Sequence, residues 1–251
     1  MKKVLITGMS GLIGGLLRAH LEELGGYELT ALNRRAIDGV TSYQADIADL
    51  DAITPAFAGQ EVVVHLAAYA QSSAHWEATL SANLIGTRNV FEAARLAGVK
   101  RVVLASSGST LKGWERVEPY KAITEGRYED VPDRWQMITH ESVRPNDEYG
   151  ASKVWGEALG RSYSDVHGMS ILCVRIGAVP RENRPRSPRE FAVFLSHRDV
   201  VDILHRCIEA PDGLKHGIFL ATSNNKWGFR DMEHTREVLG FVPHDSAEAF
   251  R

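Results

Sequence analysis

Short apolar runs rich in branched residues alternate along this chain with segments whose apolar positions recur at helical spacing, the signature of strands alternating with helices. Residues 3–6 form the first run, and Leu16, Leu17, Leu21 and Leu24 follow on one helical stripe. Residues 27–32, 41–45, 61–68, 101–105, 170–177 and 217–220 read as further strands. Helices are expected over 49–57, 75–97, from 147 through at least 159, over 199–209 and over 230–239. Gly25-Gly26 and Gly98 mark helix ends, where glycine relieves the left-handed turn. Residues 111–146 break the rhythm with Pro119, Pro132 and Pro145 and with Trp114, Tyr120, Tyr128 and Trp135. So long an irregular stretch in a compact domain reads as a functional loop, and its aromatics favour an ordered lid or substrate wall.

Strand, turn and helix meet first at Thr7-Gly8-Met9-Ser10-Gly11-Leu12-Ile13-Gly14. In this arrangement Gly8 permits the turn, Gly11 lets phosphates approach the backbone, and Gly14 lets helix and strand pack closely. The unpaired N–H groups and positive dipole end of the following helix complete a pyrophosphate site. The α/β alternation and this turn predict a doubly wound parallel sheet, a Rossmann fold, with a small C-terminal substrate-covering portion. One domain is expected over 1–251, with 1–170 mainly dinucleotide-binding and 171–251 mainly substrate-binding.

Composition narrows the function classes. At 251 residues and a net charge of −3, the chain offers no polycationic surface for nucleic acid. It carries no signal peptide and no apolar run of membrane-spanning length, so a soluble cytoplasmic protein is expected, with no membrane partner. Cys173 and Cys207 lie inside apolar segments without metal-ligand neighbours, and read as buried and reduced.

Candidate chemistry lies at the carboxyl ends of the strands. Asn33 stands where dinucleotide folds commonly carry an acidic residue for the adenosine ribose, and Arg34 and Arg35 follow it. Arginines can pair with a 2′-phosphate, so NADP is slightly favoured over NAD; the alternative is a solvated strand end. Asp46 and Ile47 suit the adenine amino group and ring, although Asp46 also suits the turn that leads into the next helix. Leu66, Ala67 and Ala68 leave room for a cofactor, and His65 reads as structural. Asn83 lies on the apolar face of its helix and needs a partner or a function. Ser106, Ser107, Gly108 and Ser109 end a central strand where substrates bind. Tyr149 and Lys153 share one helical face, where an ammonium can stabilise a phenolate and turn it into a base. Arg175, near the end of its strand, suits a substrate carboxylate or phosphate.

The glycine turn, Asp46-Ile47, His65-Leu66-Ala67-Ala68, Asn83, Ser106-Ser107 and Tyr149-Gly150-Ala151-Ser152-Lys153 together resemble the extended short-chain dehydrogenase/reductase (NAD-dependent epimerase/dehydratase) family. That resemblance implies NAD or NADP as cofactor, Tyr149 as acid/base, Ser107 as orienter of the reacting hydroxyl, with Ser106 as fallback, Lys153 on the nicotinamide ribose and lowering the tyrosine pKa, and Asn83 in the proton relay. Most members handle nucleotide sugars and are considerably longer. Dehydratases carry Asp-Glu after the catalytic Thr, where this chain has Gly108-Ser109. The uronate dehydrogenase group is similarly short and resembles this chain at Val174-Arg175-Ile176-Gly177, at Leu195-Ser196-His197-Arg198-Asp199 and in the tail. It implies Arg175 on a sugar carboxylate. The chain departs from that group at Asn33, at Gly108-Ser109 and in the longer 115–146 stretch. The expected activity is hydride transfer between nicotinamide and a small sugar or sugar acid in a homo-oligomer, without a metal. The alternatives are an NAD-dependent sugar epimerase and a non-catalytic dinucleotide sensor.

Overall fold

Val62-Val63-Val64 and Val102-Val103-Leu104 are buried on both faces, as strands covered by helices on each side must be. The computed structural model describes residues 1–71 and 75–251 and pairs these segments at the centre of a seven-stranded sheet. The strands are β1 (Lys2–Thr7), β2 (Tyr27–Asn33), β3 (Thr41–Gln44), β4 (Val62–His65), β5 (Arg101–Ser107), β6 (Ser170–Ile176) and β7 (His216–Ala221). They run in the order β3-β2-β1-β4-β5-β6-β7, every pair parallel. The order reverses between β1 and β4, and a crevice opens outside the strand ends at such a switch point. β6 and β7 complete the same sheet as the first five strands.

The helices in chain order are α1 (Leu12–Leu24), α2 (Leu50–Ile53), α3 (Trp76–Thr79), α4 (Gly86–Leu96), α5 (Tyr120–Glu125), α6 (Glu148–His167), α7 (Pro188–Val193), α8 (His197–Glu209) and α9 (Glu233–Leu239). Alternate strand residues face opposite sides, and each side is buried. Leu17 and Leu21 of α1 and Val200 and Leu204 of α8 pack with Ile6, Val64, Val103 and Leu172. Val90 and Phe91 of α4 pack with Leu5, Val63, Val102 and Leu104 on the other face. Both cysteines are buried and free, and burial pushes the Cys207 thiol up to about 12.

Two segments differ from the sequence expectation, and a third is ordered as its aromatics suggested. The helix expected over 75–97 is interrupted by a π-helical turn, Leu80–Ile85, between α3 and α4. The terminal helix is confined to α9. The 111–146 stretch is ordered: a 3₁₀ helix (Gly108–Arg116), α5 and a short 3₁₀ turn pack Leu111, Tyr120, Ile123 and Ile138 against Val193, Leu220 and Phe229. Trp135 and Tyr128 stack on Trp227. This third core joins the stretch to the C-terminal part of the chain. Among the described residues no helix is long and apolar enough to cross a membrane.

Candidate active site

The glycine turn is built by close contacts. Gly8 has φ +74°, and a Cβ there would meet the Ala67 nitrogen at 2.8 Å; a Cβ at Gly14 would meet the Gly8 carbonyl oxygen at 2.5 Å. Helix α1 starts at Gly11 without a side-chain cap and has no acidic residue in its first turn. Its terminal N–H groups therefore face the cleft with the positive end of the helix dipole, a fit for a pyrophosphate.

A cleft of about 480 Å³ lies over these strand ends, lined by Gly8, Gly11 to Gly14, Leu66, Ala68, Ser107, Tyr149 and Lys153 among others. Thr7 fixes its floor: the Ala67 N–H donates to Thr7 Oγ1 at 3.2 Å, and Thr7 Oγ1 lies 2.7 Å from His65 Nδ1. His65 is a structural residue, bonded at Nε2 to Thr87 and pushed down to about 3 by burial.

Three elements converge on Tyr149. Asp147 caps α6 by accepting from the Gly150 N–H at 2.7 Å. Gly150 presses on the loop after β5, where a Cβ would meet the Ser109 carbonyl oxygen at 2.5 Å. That approach sets the Tyr149 hydroxyl beside Ser107, whose side chain favours the phenolate. Ser107 Oγ accepts from the Ser109 N–H at 3.1 Å. Ser106, by contrast, donates to Glu157 at 2.5 Å. Register explains the difference, since Ser107 stands opposite Ile176 and Ser106 opposite Arg175. Burial raises the Tyr149 phenol, Ser107 works against that rise, and Asp147 adds to it. Lys153 is buried, donates to the Ala105 carbonyl oxygen at 2.8 Å and is pushed down to about 8 by burial. Its ammonium lies 5.7 Å from the Tyr149 ring centre.

Asn83 occupies the π-helical turn. Its Oδ1 accepts from the Tyr69 N–H at 2.8 Å, and its Nδ2 donates to the Tyr69 carbonyl and to Ser152 Oγ, both at 3.0 Å. Ser152 in turn donates to the Tyr149 carbonyl at 2.7 Å, so Asn83 is tied to the backbone of Tyr149. A π turn displaces one residue out of the α-helical frame, a feature common at functional sites.

Asn33 accepts from both the N–H and the hydroxyl of Ser10 through Oδ1, at 3.2 and 3.3 Å. Its buried Nδ2 has no partner among the described residues, and Arg34 beside it is exposed. Asp46 accepts from the Ala48 N–H at 2.9 Å. Ile47 is largely buried, and its Cδ1 would meet a Cβ on Gly86 at 2.6 Å.

Arg175 does not reach the cleft. It is 0% exposed, with Nε and Nη2 on the two oxygens of Glu157 and Nη1 on the Ser142 carbonyl, each at 2.8 Å. It shares the Ser106 face of the sheet, whereas Ser107 points to the other side. Gly108 and Ser109 lie beyond the cleft lining. Gly108 is buried under Arg230, whose Nη2 lies 2.0 Å from where its Cβ would be. The sequence reading missed Glu157, which organises Ser106 and Arg175, and Arg230. Glu157 had a readable signal, since it lies two helical steps from Tyr149, four and then four residues on.

The family model for the NAD dependent epimerase/dehydratase family matches residues 4–192. The chain belongs to that family. Uronate dehydrogenase of Agrobacterium fabrum is 34% identical over 256 residues, covering all of this chain and 88% of that protein. NAD-dependent glucose-6-phosphate dehydrogenase of Haloferax volcanii is 31% identical over 257 residues, covering 98% and 95%. A crystal structure of uronate dehydrogenase from Agrobacterium tumefaciens superposes with a TM-score of 0.82 at 31% identity, covering all of this chain and 87% of that one. Family membership and whole-chain likeness place the Ser107, Tyr149 and Lys153 cleft in a fold used by sugar-oxidising relatives.

Proposed function

We propose that this chain is an NAD(P)-dependent dehydrogenase that oxidises a hydroxyl-bearing carbon of a small sugar or sugar acid. The observation that carries the reading is the single cleft that joins the uncapped α1 terminus to Ser107, Tyr149 and Lys153. A nicotinamide dinucleotide bound there supplies the hydride acceptor. Leu12, Ile13 and Gly14 offer its pyrophosphate the free N–H groups of the first turn of α1, Gly8, Ser10 and Gly11 shape the turn that lets it approach, and Leu66, Ala67 and Ala68 leave it room. Ser107 orients the substrate hydroxyl, and Tyr149 takes its proton as the hydride departs. Lys153 carries the proton-holding ammonium beside the ribose, and Asn83 fixes the backbone that presents Tyr149.

Asn33 spends its one acceptor on Ser10, which leaves it little to offer ribose hydroxyls, while exposed Arg34 can meet a 2′-phosphate. We therefore propose that NADP serves at least as well as NAD. The absence of an acidic pair after Ser107 speaks against dehydration, and the loss of Arg175 to Glu157 removes the anion anchor first expected there. An epimerase needs the same Tyr149, so product analysis separates the two.

The test follows absorbance at 340 nm with NAD and NADP over galacturonate, glucuronate, glucose 6-phosphate and neutral aldoses. Reduced cofactor accumulating with one sugar class supports the dehydrogenase, whereas a C4 or C5 epimer formed without net reduction shows an epimerase. Tight cofactor binding with no sugar chemistry at all assigns the chain to a sensor role.

A further inference from the structure

A guanidinium buried without a partner calls for a partner that the chain does not carry. Arg230 is 3% exposed, and its Nε and Nη1 have no hydrogen-bond partner among the described residues. Every neighbouring charge is already engaged. Arg189 holds Glu115 with two bonds of 2.6 and 2.8 Å, and Arg175 holds Glu157 with two of 2.8 Å. Arg189, Glu115 and Arg175 are charges that Arg230 feels, and with both of those pairs closed neither carboxylate is left to Arg230.

Position gives this cation a direction. The site of the missing Gly108 Cβ lies 2.0 Å from Nη2 and 2.5 Å from Cζ, so only glycine at 108 admits the fork. Gly108 follows Ser107 directly in the chain. The guanidinium thus sits against the residue next to Ser107, which lines the cleft with Tyr149. Its backbone is pinned from the other side, where the Asp231 N–H donates to the Ile138 carbonyl at 2.9 Å and the Ile138 N–H donates to the Phe229 carbonyl at 2.8 Å. The 111–146 stretch and the C-terminal part thereby clamp Arg230 over the end of β5.

We infer that Arg230 is the substrate-recognition residue of this enzyme, its planar fork receiving a substrate oxyanion, a carboxylate or a phosphate, beside Ser107. This rests on the dehydrogenase reading above. A planar fork pairs with either anion by two parallel bonds, and a desolvated pocket strengthens them. The anion supplies the counter-charge that Glu115 and Glu157 have already given to other arginines, so Arg230 is ordered for binding before the substrate arrives.

The experiment compares wild type with Arg230→Met and Arg230→Lys on galacturonate, on glucose 6-phosphate and on a neutral aldose. The anion that wild type favours over the neutral sugar names the source, carboxylate or phosphate. For that sugar, Arg230→Met lowers kcat/KM by roughly 100-fold, mainly through KM, because a buried hydrogen-bonded charge pair loses one member. The neutral sugar keeps its kcat/KM, and Arg230→Lys falls between, since it keeps charge and loses the fork. Equal losses on anionic and neutral sugars, or no loss on either, overturn the inference and leave Arg230 a packing residue. Should Arg230→Met not fold, the selective rise of KM in Arg230→Lys decides by the same criterion. Should no sugar be oxidised, the shift of Tm caused by galacturonate and by glucose 6-phosphate in the presence of NADP is read instead. A shift present in wild type and absent in Arg230→Lys keeps Arg230 as an anion site while the dehydrogenase reading fails, and no shift in either removes both.

Discussion

Adjacent residues of one strand carry opposite roles here, and the alternation of side chains decides which. Ser107 lines the cleft beside Tyr149, while Ser106 turns to Glu157 and Arg175 on the other face. If Tyr149 takes the proton as proposed, Tyr149→Phe lowers turnover by about 10²- to 10⁴-fold while dinucleotide binding persists, as measured by initial rates beside cofactor titration. Burial raises the Tyr149 phenol, so the oxidation rate climbs with pH into the alkaline range, and a flat kcat/KM profile there argues against tyrosine as base. Lys153 has the opposite displacement, from 10.5 down to about 8. Between those values the unfolded chain holds a proton that the folded chain has released, so this group's contribution to stability rises with pH over that window and is lost as pH falls through 8. Urea unfolding at pH 8 and 10.5 should show wild type gaining on Lys153→Met by on the order of 3 kcal/mol.

At the scale of elements, glycines set how closely helices approach the sheet. Gly14 lets α1 sit on its own turn, and Gly150 lets α6 meet the loop after β5. Gly14→Ala forces a methyl against the Gly8 carbonyl and the Met9 backbone; we expect a loss of about 1–3 kcal/mol in denaturant unfolding together with weakened dinucleotide binding. The glycine turn was fully legible because its chemistry is local: three glycines, one strand and one helix lie within consecutive residues. The π-helical turn was not, because Asn83 leaves the helical frame to reach Tyr69 and Ser152, partners 14 and 69 residues away. The ordered packing of 111–146 was hinted at by its aromatics, yet what it packs on lies in the C-terminal part of the chain.

Across the whole molecule, buried charge is shared out among distant segments. Arg175 of β6 and Glu157 of α6 form a buried pair, and the carbonyl of half-buried Ser142 in the irregular stretch accepts from the same guanidinium. Arg175→Met strands the Glu157 carboxylate, a defect that costs about 3–5 kcal/mol, and calorimetry should show a lowered Tm with KM for the sugar little changed. A substrate anchor would give the reverse pattern. The sequence by itself determined the sheet, the alternation of its elements, the glycine turn and the shared helical face of Tyr149 and Lys153, because periodicity, glycine spacing and one helical turn are properties of neighbouring residues. Only the tertiary structure decided which arginine is satisfied and which is left over. Arg175, Arg189 and Arg230 look alike along the chain, and the distinction among them arises when folding brings Glu157 to the first and Glu115 to the second, and brings to the third a glycine too small to fill the space beside Ser107.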